Sequence, residues 1–289
     1  MQGVFPAIIT PFDKNGDVDY NGLETNINFL IDSGVNGIVC VGTTGESPTL
    51  SYDEHKKVIE KTVEIVNGRV KVIAGTGSNC TREAILLSEY AEDVGADGVL
   101  LVVPYYNKPT QKGLIKHFGE IANSINADIV LYNIPSRSSI DLSVDTIKYL
   151  SEEYSNINYL KEANPNLSRI SDIINSCDIR VFSGNDELTL PILSLGGCGV
   201  ISVVANILPK EMVEMVNYAL NNQYDKSRKM HYYLYDIMKA MFLETNPIPI
   251  KTAMNMIGLP SGGLRLPLSE MEDKNREKLK EILKKYGLL

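Results

Sequence analysis

Residues 98–102 read Gly98-Val99-Leu100-Leu101-Val102, an apolar run of strand length. After a longer segment with apolar residues at helical spacing, a second run of the same kind reads Asp128-Ile129-Val130-Leu131-Tyr132. Strands that alternate with helices in this way predict a parallel sheet covered by helices. The alternation continues on both sides, and it predicts eight strands, at residues 4–9, 37–41, 70–74, 98–102, 128–132, 157–161, 179–183 and 199–202.

The number of strands distinguishes two α/β folds. Eight strand-then-helix units in about two hundred residues favour a (β/α)8 TIM barrel, because an open doubly wound sheet has fewer strands and a topological switch point. One predicted helix follows Ser51, an N-cap candidate with Glu54 three residues later. The strand pattern stops after about Asn222, so we predict the barrel over residues 1–223 and a small helical region over residues 224–289.

The composition is that of an ordinary globular chain, with 289 residues of which 44% are hydrophobic and 22% charged. A net charge of −8, from 28 basic and 36 acidic residues, argues against nucleic acid and anionic membranes as partners. The four scattered cysteines, Cys40, Cys80, Cys177 and Cys198, indicate reduced thiols in a cytoplasmic protein. We find no secretory signal or twenty-residue apolar span, and we expect neither secretion nor membrane insertion.

In a barrel of this type, the chemistry takes place at the carboxyl ends of the strands. The sequence there contains hydroxyl groups, one arginine and one lysine. From the second to the seventh strand, these ends read Gly42-Thr43-Thr44-Gly45-Glu46, Gly75-Thr76-Gly77-Ser78-Asn79, Pro104-Tyr105-Tyr106-Asn107, Tyr132-Asn133-Ile134-Pro135-Ser136-Arg137, Lys161-Glu162-Ala163 and Ser183-Gly184-Asn185-Asp186.

Lys161 ends the sixth predicted strand, where an active-site loop would begin. A lysine, with a reference pKa of ~10.4, becomes a nucleophile at neutral pH only where desolvation or a neighbouring cation lowers that pKa. The alternative is a lysine whose stem covers the strand end while its ammonium group stays in water. Tyr132 closes the preceding strand, so pairing of the two strands would bring its phenol near the amine.

A candidate carboxylate site faces the same mouth. In Gly42-Thr43-Thr44-Gly45 the glycines allow a carboxylate to approach the backbone, and the N–H and hydroxyl groups can donate to it. A tight turn with a threonine N-cap is the simpler interpretation of this segment. The planar guanidinium group of Arg137 can bind a carboxylate with two parallel hydrogen bonds. An ion pair with a surface carboxylate would also explain an arginine at this position. Together with Lys161 and Tyr132, these residues are consistent with imine chemistry on a small keto acid.

Two nucleotide motifs and a metal site are excluded by the residue pattern. Gly75-Thr76-Gly77 resembles the start of a dinucleotide fingerprint, but the position of its third glycine is Cys80, and no Walker-type lysine loop occurs. His55, His117 and His231 lie on predicted helices without ligand spacing, so we expect no catalytic metal.

The order and spacing of these motifs resemble the 4-hydroxy-tetrahydrodipicolinate synthase (dihydrodipicolinate synthase) family. It is part of the lysine-dependent aldolase superfamily, which also contains N-acetylneuraminate lyase and 2-keto-3-deoxygluconate aldolase. The resemblance implies a lyase that condenses pyruvate with L-aspartate 4-semialdehyde in lysine (diaminopimelate) biosynthesis, with no cofactor. It spans essentially the whole chain and includes, besides most of the strand ends above, Pro6-Ala7-Ile8-Ile9-Thr10-Pro11-Phe12, Gly199-Val200-Ile201-Ser202-Val203 and Asn246-Pro247-Ile248-Pro249-Ile250-Lys251.

The resemblance also implies a role for each matching residue. Lys161 would form the Schiff base with pyruvate, and Tyr132 would relay protons. Thr43 would connect that phenol to Tyr106, which the family takes from the neighbouring subunit of a tight dimer, so we expect a homo-oligomer, with a dimer of dimers (homotetramer) as the expected form. The substrate-binding residues would be Thr44 for the pyruvate carboxylate, Arg137 for the carboxylate of aspartate semialdehyde, and the backbones of Gly184 and Ile201 for the pocket wall.

Some family members bind L-lysine as an inhibitor at the dimer interface. The matching positions of this possible allosteric site are Ser47, His55, Asn79, Glu83 and Tyr105, with Glu83 facing the amine of the effector. Pro48 and Tyr52 differ from the residues of sensitive members, and the loop after the nucleophile, Lys161-Glu162-Ala163-Asn164-Pro165, is stiffened by a proline that the family does not usually have.

Three alternatives remain open from the sequence. A related pyruvate-dependent aldolase would use the same lysine on another second substrate, although Arg137 favours the synthase. A non-catalytic barrel would leave Lys161 protonated and unreactive. A phosphate-binding barrel enzyme would use glycine-rich loops after strands seven and eight, for which Gly184 and Gly196-Gly197-Cys198-Gly199 are the candidates.

Overall fold

A computed structural model describes residues 1–289 and confirms the barrel: eight parallel strands alternate with helices. Each strand begins within two residues of its predicted first residue and ends within three residues of its predicted last residue. In chain order the elements are β1 Gly3–Pro6, α1 Tyr20–Asp32, β2 Gly37–Cys40, α2 Tyr52–Val66, β3 Lys71–Gly75, α3 Thr81–Asp93, β4 Gly98–Val102, α4 Gln111–Ser124, β5 Asp128–Asn133, α5 Pro135–Ser138, α6 Val144–Glu153, β6 Ile157–Glu162, α7 Leu167–Ser176, β7 Arg180–Ser183, α8 Thr189–Ser194, β8 Gly199–Ser202, α9 Pro209–Leu220, α10 Tyr224–Ala240, α11 Ile248–Met256 and α12 Asp273–Lys285.

The strands pair in the order β1-β8-β7-β6-β5-β4-β3-β2, and every pairing is parallel. A parallel bridge between Ala7 and Val39 joins the two ends of this order and nearly closes the barrel. Because all strands point the same way, their carboxyl ends meet at one mouth. The barrel thus brings together loops that are far apart in sequence.

Successive side chains of each strand point to opposite faces of the sheet, so one set fills the barrel and the other packs against the helices. On β6, for example, Tyr159 belongs to the cluster that fills the barrel, whereas Leu160 belongs to the cluster between strands and helices. Phe5 and Phe182 meet edge to face inside the barrel, with ring centroids 5.2 Å apart. The interior is therefore packed with side chains, and a substrate can enter only at the mouth.

Helix α2 begins with the predicted capping box. The Ser51 side chain accepts from the Glu54 backbone N–H, and the Glu54 carboxylate accepts from the Ser51 N–H at 2.8 Å. The apolar side chains of Val58, Ile59 and Val66 on this helix are buried. Each cap partner satisfies an N–H group that the first helical turn leaves free, so the helix start is fixed locally.

Helices α10, α11 and α12 lie beyond residue 223, and helices α9 to α12 share one core cluster with strands of the barrel. That cluster joins Met212 and Met215 of α9, Leu234 and Met238 of α10, and Val200 of β8. The helical region therefore packs on the barrel through apolar side chains. No helix of the chain combines the length and the apolar character that crossing a membrane requires.

Candidate active site

Lys161 and Tyr132 face each other at the mouth of the barrel. They are register partners in the parallel pairing of β5 with β6, and the Lys161 amine lies 4.1 Å from the centre of the Tyr132 ring. Lys161 is 6% exposed and Tyr132 is 4% exposed. The predicted proximity of phenol and amine is present, and the ammonium group of Lys161 does not extend into bulk water.

Burial lowers the pKa of Lys161 to about 7. Desolvation is the main cause; the carboxylate of Asp186 acts in the opposite direction, and the guanidinium of Arg137 lowers the pKa further. The charged amine loses its hydration in this environment and gains little in return. A substantial fraction of the protein therefore carries a neutral, nucleophilic amine at neutral pH.

Burial also raises the pKa of the Tyr132 phenol, to about 12, while Arg137 and the nearby Thr43 hydroxyl act in the opposite direction. The phenol thus keeps its proton at neutral pH. A neutral hydroxyl next to an amine can donate a proton and accept one back, which is what a relay needs.

The loop after β2 presents a set of unused donors. The backbone N–H groups of Thr43 and Thr44 donate to no carbonyl of the chain. Thr44 is 3% exposed, and its hydroxyl accepts a hydrogen bond from the Asn246 side chain at 3.0 Å. With its oxygen engaged as an acceptor, this hydroxyl is free to direct its proton towards an anion.

Arg137 lies on the short helix α5 and lines the same cavity as Thr43 and Thr44. One of its nitrogens donates to the Asn246 carbonyl at 2.9 Å. That contact fixes the position of the guanidinium and leaves further N–H groups of the fork for a ligand. The arginine therefore supplies a second anion site in the same cavity, apart from the threonine pair.

Lys161, Tyr132, Thr43, Thr44, Arg137 and Gly184 all line one cavity of about 600 Å³. Close packing at Gly184 excludes a side chain, because a Cβ atom would lie 2.8 Å from the Ala163 Cβ and 2.9 Å from the Glu162 carbonyl oxygen. Ile201 is placed differently: it belongs to the cluster inside the barrel, and Val203, two residues later, lines the cavity instead. Other lining residues are Ile134, Pro135, Ser136, Ala163, Pro165, Asn185, Phe242, Glu244, Thr245 and Asn246.

Behind the reactive pair, a buried network holds the two strand ends together. Asn133 and Glu162, the register partners one step beyond Tyr132 and Lys161, are joined by a hydrogen bond of 2.8 Å. Arg169 pairs with the same carboxylate at 2.9 Å. The backbone N–H of Asn164 donates to Glu162 at 2.8 Å, so the unusual Asn164-Pro165 turn is anchored to this network.

Two residues of the site were missed by the sequence analysis. Asp186 is 3% exposed, accepts from the backbone N–H groups of Val203 and Val204 at 3.0 Å, and opposes the lowering of the Lys161 pKa. Asn246 contacts both Thr44 and Arg137. Both residues lay within motifs noted for their resemblance, but nothing in their spacing indicated a contact with the nucleophile or with the anion sites.

Tyr106 lies outside the cavity of its own chain. It is 90% exposed and adopts a φ of +72°, a conformation that is uncommon for a residue other than glycine. Its neighbour Tyr105 accepts a hydrogen bond at its carbonyl from Asn79, and Asn107 donates to the Asn79 carbonyl in return. The loop after β4 is therefore held in a shape that projects Tyr106 away from the barrel.

The five residues of the possible effector site lie on neighbouring elements around this loop. The His55 ring nitrogen Nε2 contacts the Gly75 carbonyl at 2.8 Å, and burial lowers the pKa of His55. The Glu83 carboxylate accepts from the Ser78 hydroxyl at 2.8 Å, and its carbonyl accepts from the Tyr52 hydroxyl. Tyr105 is 37% exposed.

Comparison with known proteins gives a consistent result. The sequence model of the dihydrodipicolinate synthetase family matches residues 1–286. The chain is 69% identical to the 4-hydroxy-tetrahydrodipicolinate synthase of Methanococcus aeolicus and 67% identical to that of Methanocaldococcus jannaschii, in both cases over the full length of both chains. A crystal structure of a dihydrodipicolinate synthase, 66% identical and matched over 100% of both chains, superimposes with a TM-score of 0.99.

Proposed function

The chain belongs to the dihydrodipicolinate synthetase family, and we propose that Lys161 is the amine through which it carries out the family reaction. That reaction condenses pyruvate with L-aspartate 4-semialdehyde to 4-hydroxy-tetrahydrodipicolinate, a step of lysine (diaminopimelate) biosynthesis. It is a lyase reaction of the class I aldolase type. The observation that carries the assignment of Lys161 is a buried amine with a pKa of about 7 in a cavity that also holds two anion sites.

The first half of the reaction activates pyruvate. The neutral Lys161 amine attacks the keto carbon, and loss of water from the carbinolamine leaves an iminium ion. Tyr132, whose ring centre lies 4.1 Å from the Lys161 amine, supplies the proton that the departing hydroxyl needs. The iminium then draws electrons from the methyl group, which loses a proton to give a nucleophilic enamine.

The second half joins the two substrates. The enamine carbon attacks the aldehyde of aspartate semialdehyde, and the new alkoxide takes up a proton. The amine of this substrate then attacks the iminium carbon and displaces Lys161 by transimination, which closes the ring and regenerates the free lysine. One water molecule is released overall, from the first carbinolamine.

The two substrates each carry a carboxylate that must be held in the cavity, and the chain offers one site for each. The free N–H groups of Thr43 and Thr44 support binding of the pyruvate carboxylate next to Lys161. Arg137, held by its contact with Asn246, supports binding of the carboxylate of aspartate semialdehyde. Holding both substrates in place makes the bond-forming step effectively intramolecular.

Tyr106 is proposed to act in the site of a neighbouring subunit, linked through Thr43 to Tyr132. Its 90% exposure and its projection from the loop after β4 support this role, because a side chain so placed makes little contact with its own chain and is available to a partner. The functional unit would then be a homo-oligomer, with a dimer of dimers as the proposed form.

The same loop carries Tyr105 of the proposed effector site, so L-lysine bound there would act on Tyr106. Unchanged initial rates in excess L-lysine would exclude that effect.

Three further proposals concern the chain as a whole. All eight strands lie before residue 223 and only helices follow it, which supports a division at residue 223. The four cysteines are unpaired, which supports a cytoplasmic location. Ile201, buried below the cavity, is proposed to contribute through its backbone rather than its side chain.

The test of the nucleophile is reduction of the protein with borohydride in the presence of pyruvate, followed by peptide mapping. We expect a single reduced adduct on Lys161. Lys251, the other buried lysine, is an internal control, because it is paired with Glu46 and should not react. An adduct elsewhere, or none, would contradict the assignment, and turnover of ketodeoxygluconate in place of aspartate semialdehyde would contradict the second substrate.

A further inference from the structure

The loop that carries Thr43 and Thr44 is strained at both ends. Val41 has a φ of +46° and Glu46 a φ of +53°, so two residues with side chains adopt the left-handed conformation that favours glycine. Such residues keep this conformation only where the surrounding structure holds it. The position of the two threonines therefore depends on contacts from outside the loop.

Glu46 is held by a buried lysine of the C-terminal helical region. The Lys251 amine, on α11, lies 2.7 Å from one Glu46 oxygen and 3.0 Å from the Thr10 carbonyl. The other Glu46 oxygen accepts from the Arg265 backbone N–H at 3.1 Å. Both charged side chains are 1% exposed, so each depends on the other for compensation of its charge.

The same region reaches the loop at a second point. Asn246, just before α11, donates to the Thr44 hydroxyl at 3.0 Å. On the other side, the Thr10 hydroxyl donates to the Gly45 carbonyl at 2.7 Å, and the Thr10 carbonyl is the one that Lys251 contacts. Lys251 thus contacts the loop directly, through the Glu46 carboxylate, and indirectly, through Thr10, whose hydroxyl donates to Gly45.

We propose that Lys251 and Glu46 are positioning residues whose buried ion pair holds the strained loop with the N–H groups of Thr43 and Thr44 directed at the carboxylate of the keto-acid substrate. This inference rests on the proposed function, in which those groups bind pyruvate. Neither side chain lines the cavity, so both act through the loop alone. The C-terminal region then contributes to substrate binding without contacting the substrate.

The chain offers a matched control in a neighbouring ion pair. Arg265 donates to Glu54 at 2.8 Å and to the Gly16 carbonyl at 3.0 Å, and so ties the same C-terminal region to α2. No hydrogen bond joins Glu54 to residues 43–46, and Glu46 accepts from the Arg265 backbone N–H, whereas Glu54 binds the Arg265 guanidinium. Glu54→Gln should therefore lower stability by weakening a partly buried pair, while leaving the threonine loop in place.

The experiment uses four variants: a double variant that combines Glu46→Gln and Lys251→Met, each of these two single variants, and the control Glu54→Gln. For each protein we would measure the pyruvate concentration that gives half-maximal borohydride trapping at Lys161, kcat with both substrates saturating, and the melting temperature. The double variant removes both charges together, so no unpaired charge stays buried and folding is retained even if Lys251→Met alone does not fold.

We expect the double variant to need about ten- to a hundredfold more pyruvate for half-maximal trapping, with a much smaller fall in kcat, and to melt closer to the wild type than Lys251→Met. Glu46→Gln alone should also raise the pyruvate requirement, and it should melt earlier than the double variant because the buried Lys251 charge is left without a counter-charge. Glu54→Gln should melt earlier with an unchanged pyruvate requirement.

A double variant or a Glu46→Gln variant with the wild-type pyruvate requirement would overturn the inference, since the ion pair would then serve stability alone. Equal losses in Glu54→Gln would also overturn it. Failure of the wild-type protein to form an adduct on Lys161 would instead refute the proposed function, so the two failures are distinguishable.

Discussion

Raising the pH through 7 should activate the reaction with pyruvate, because it deprotonates Lys161. Burial lowers the pKa of this amine from 10.5 to about 7. At pH 7 about half of the molecules then carry a neutral amine, whereas a lysine of pKa 10.5 would be neutral in about three molecules in ten thousand. Desolvation thus increases the reactive form by a factor on the order of a thousand, which corresponds to about 4 kcal/mol.

The assay is kcat/KM for pyruvate as a function of pH, which reports groups that titrate in the free enzyme. We expect a tenfold rise per pH unit at acidic pH and a plateau above about pH 7. Tyr132, with its pKa raised to about 12, does not titrate in this range. A profile that still rises with full slope near pH 9 would refute the lowered pKa and, with it, the reasoning from burial.

A variant at Asp186 sharpens this test. The Asp186 carboxylate raises the pKa of Lys161, and its oxygen accepts from two backbone N–H groups. Asp186→Asn keeps an accepting oxygen but removes the charge. The midpoint of the profile should therefore move to lower pH, and a midpoint that moves upward would show that another group sets it.

The same pKa has a consequence for stability. Because the pKa of Lys161 is lower in the folded than in the unfolded protein, the unfolded chain binds more protons between about pH 7 and 10.5. The buried amine therefore destabilises the folded state. This destabilisation is largest below pH 7 and disappears as the pH rises towards 10.5. Lys161→Met removes this destabilisation. The variant should gain roughly 4 kcal/mol in unfolding free energy near pH 7, with the gain shrinking towards pH 10. A gain that does not change with pH in urea titrations would argue against the assignment.

Three other perturbations test separate parts of the site and fold. At a pH of about 9, where the Lys161 amine is deprotonated, Arg137→Ala should leave Lys161 trapping by pyruvate intact but reduce kcat/KM for aspartate semialdehyde about ten- to a hundredfold, because the charge-assisted hydrogen bonds of the guanidinium are lost. Equal turnover would rule out this carboxylate site. Tyr106→Phe should reduce kcat by about a hundredfold at an unchanged melting temperature, since the exposed side chain contributes little to its own subunit; full activity would exclude Tyr106 from the relay. Ser51→Ala should lower the unfolding free energy by about 1 kcal/mol in denaturant titrations by breaking the capping box, without affecting kcat; an unchanged midpoint would mean that the cap is dispensable.

Local pattern was sufficient to predict every strand because each is a short apolar run between turn residues. The β4 strand, Gly98–Val102, has its predicted bounds, whereas β1 was expected to extend to residue 9 and ends at Pro6. Beyond Pro6 the chain leaves the pairing with β8: the Ala7 N–H still donates to the Ser202 carbonyl, but the Ile8 N–H donates to Val39 of β2. The pairing of Tyr132 with Lys161 was also predictable, since both residues close consecutive strands of a parallel sheet.

The residues that support the site were not predictable in the same way. Asn246 and Thr44 are separated by 202 positions, and Lys251 and Glu46 by 205. No periodicity or turn signal relates residues at such separations, because their contact depends on how the C-terminal helices pack against the barrel. Val203 is a further case at short range: it lines the cavity two residues after Ile201, although nothing in the local sequence pattern singled it out.

The amino-acid sequence by itself determined the order of strands and helices, the capping of α2 and which functional groups follow each strand, since these features depend on neighbours along the chain. Only the tertiary structure decided that the Lys161 amine loses its water and that Glu46 finds Lys251. The physical reason is that desolvation and buried charge pairing depend on every atom packed around a group, whatever its distance along the chain.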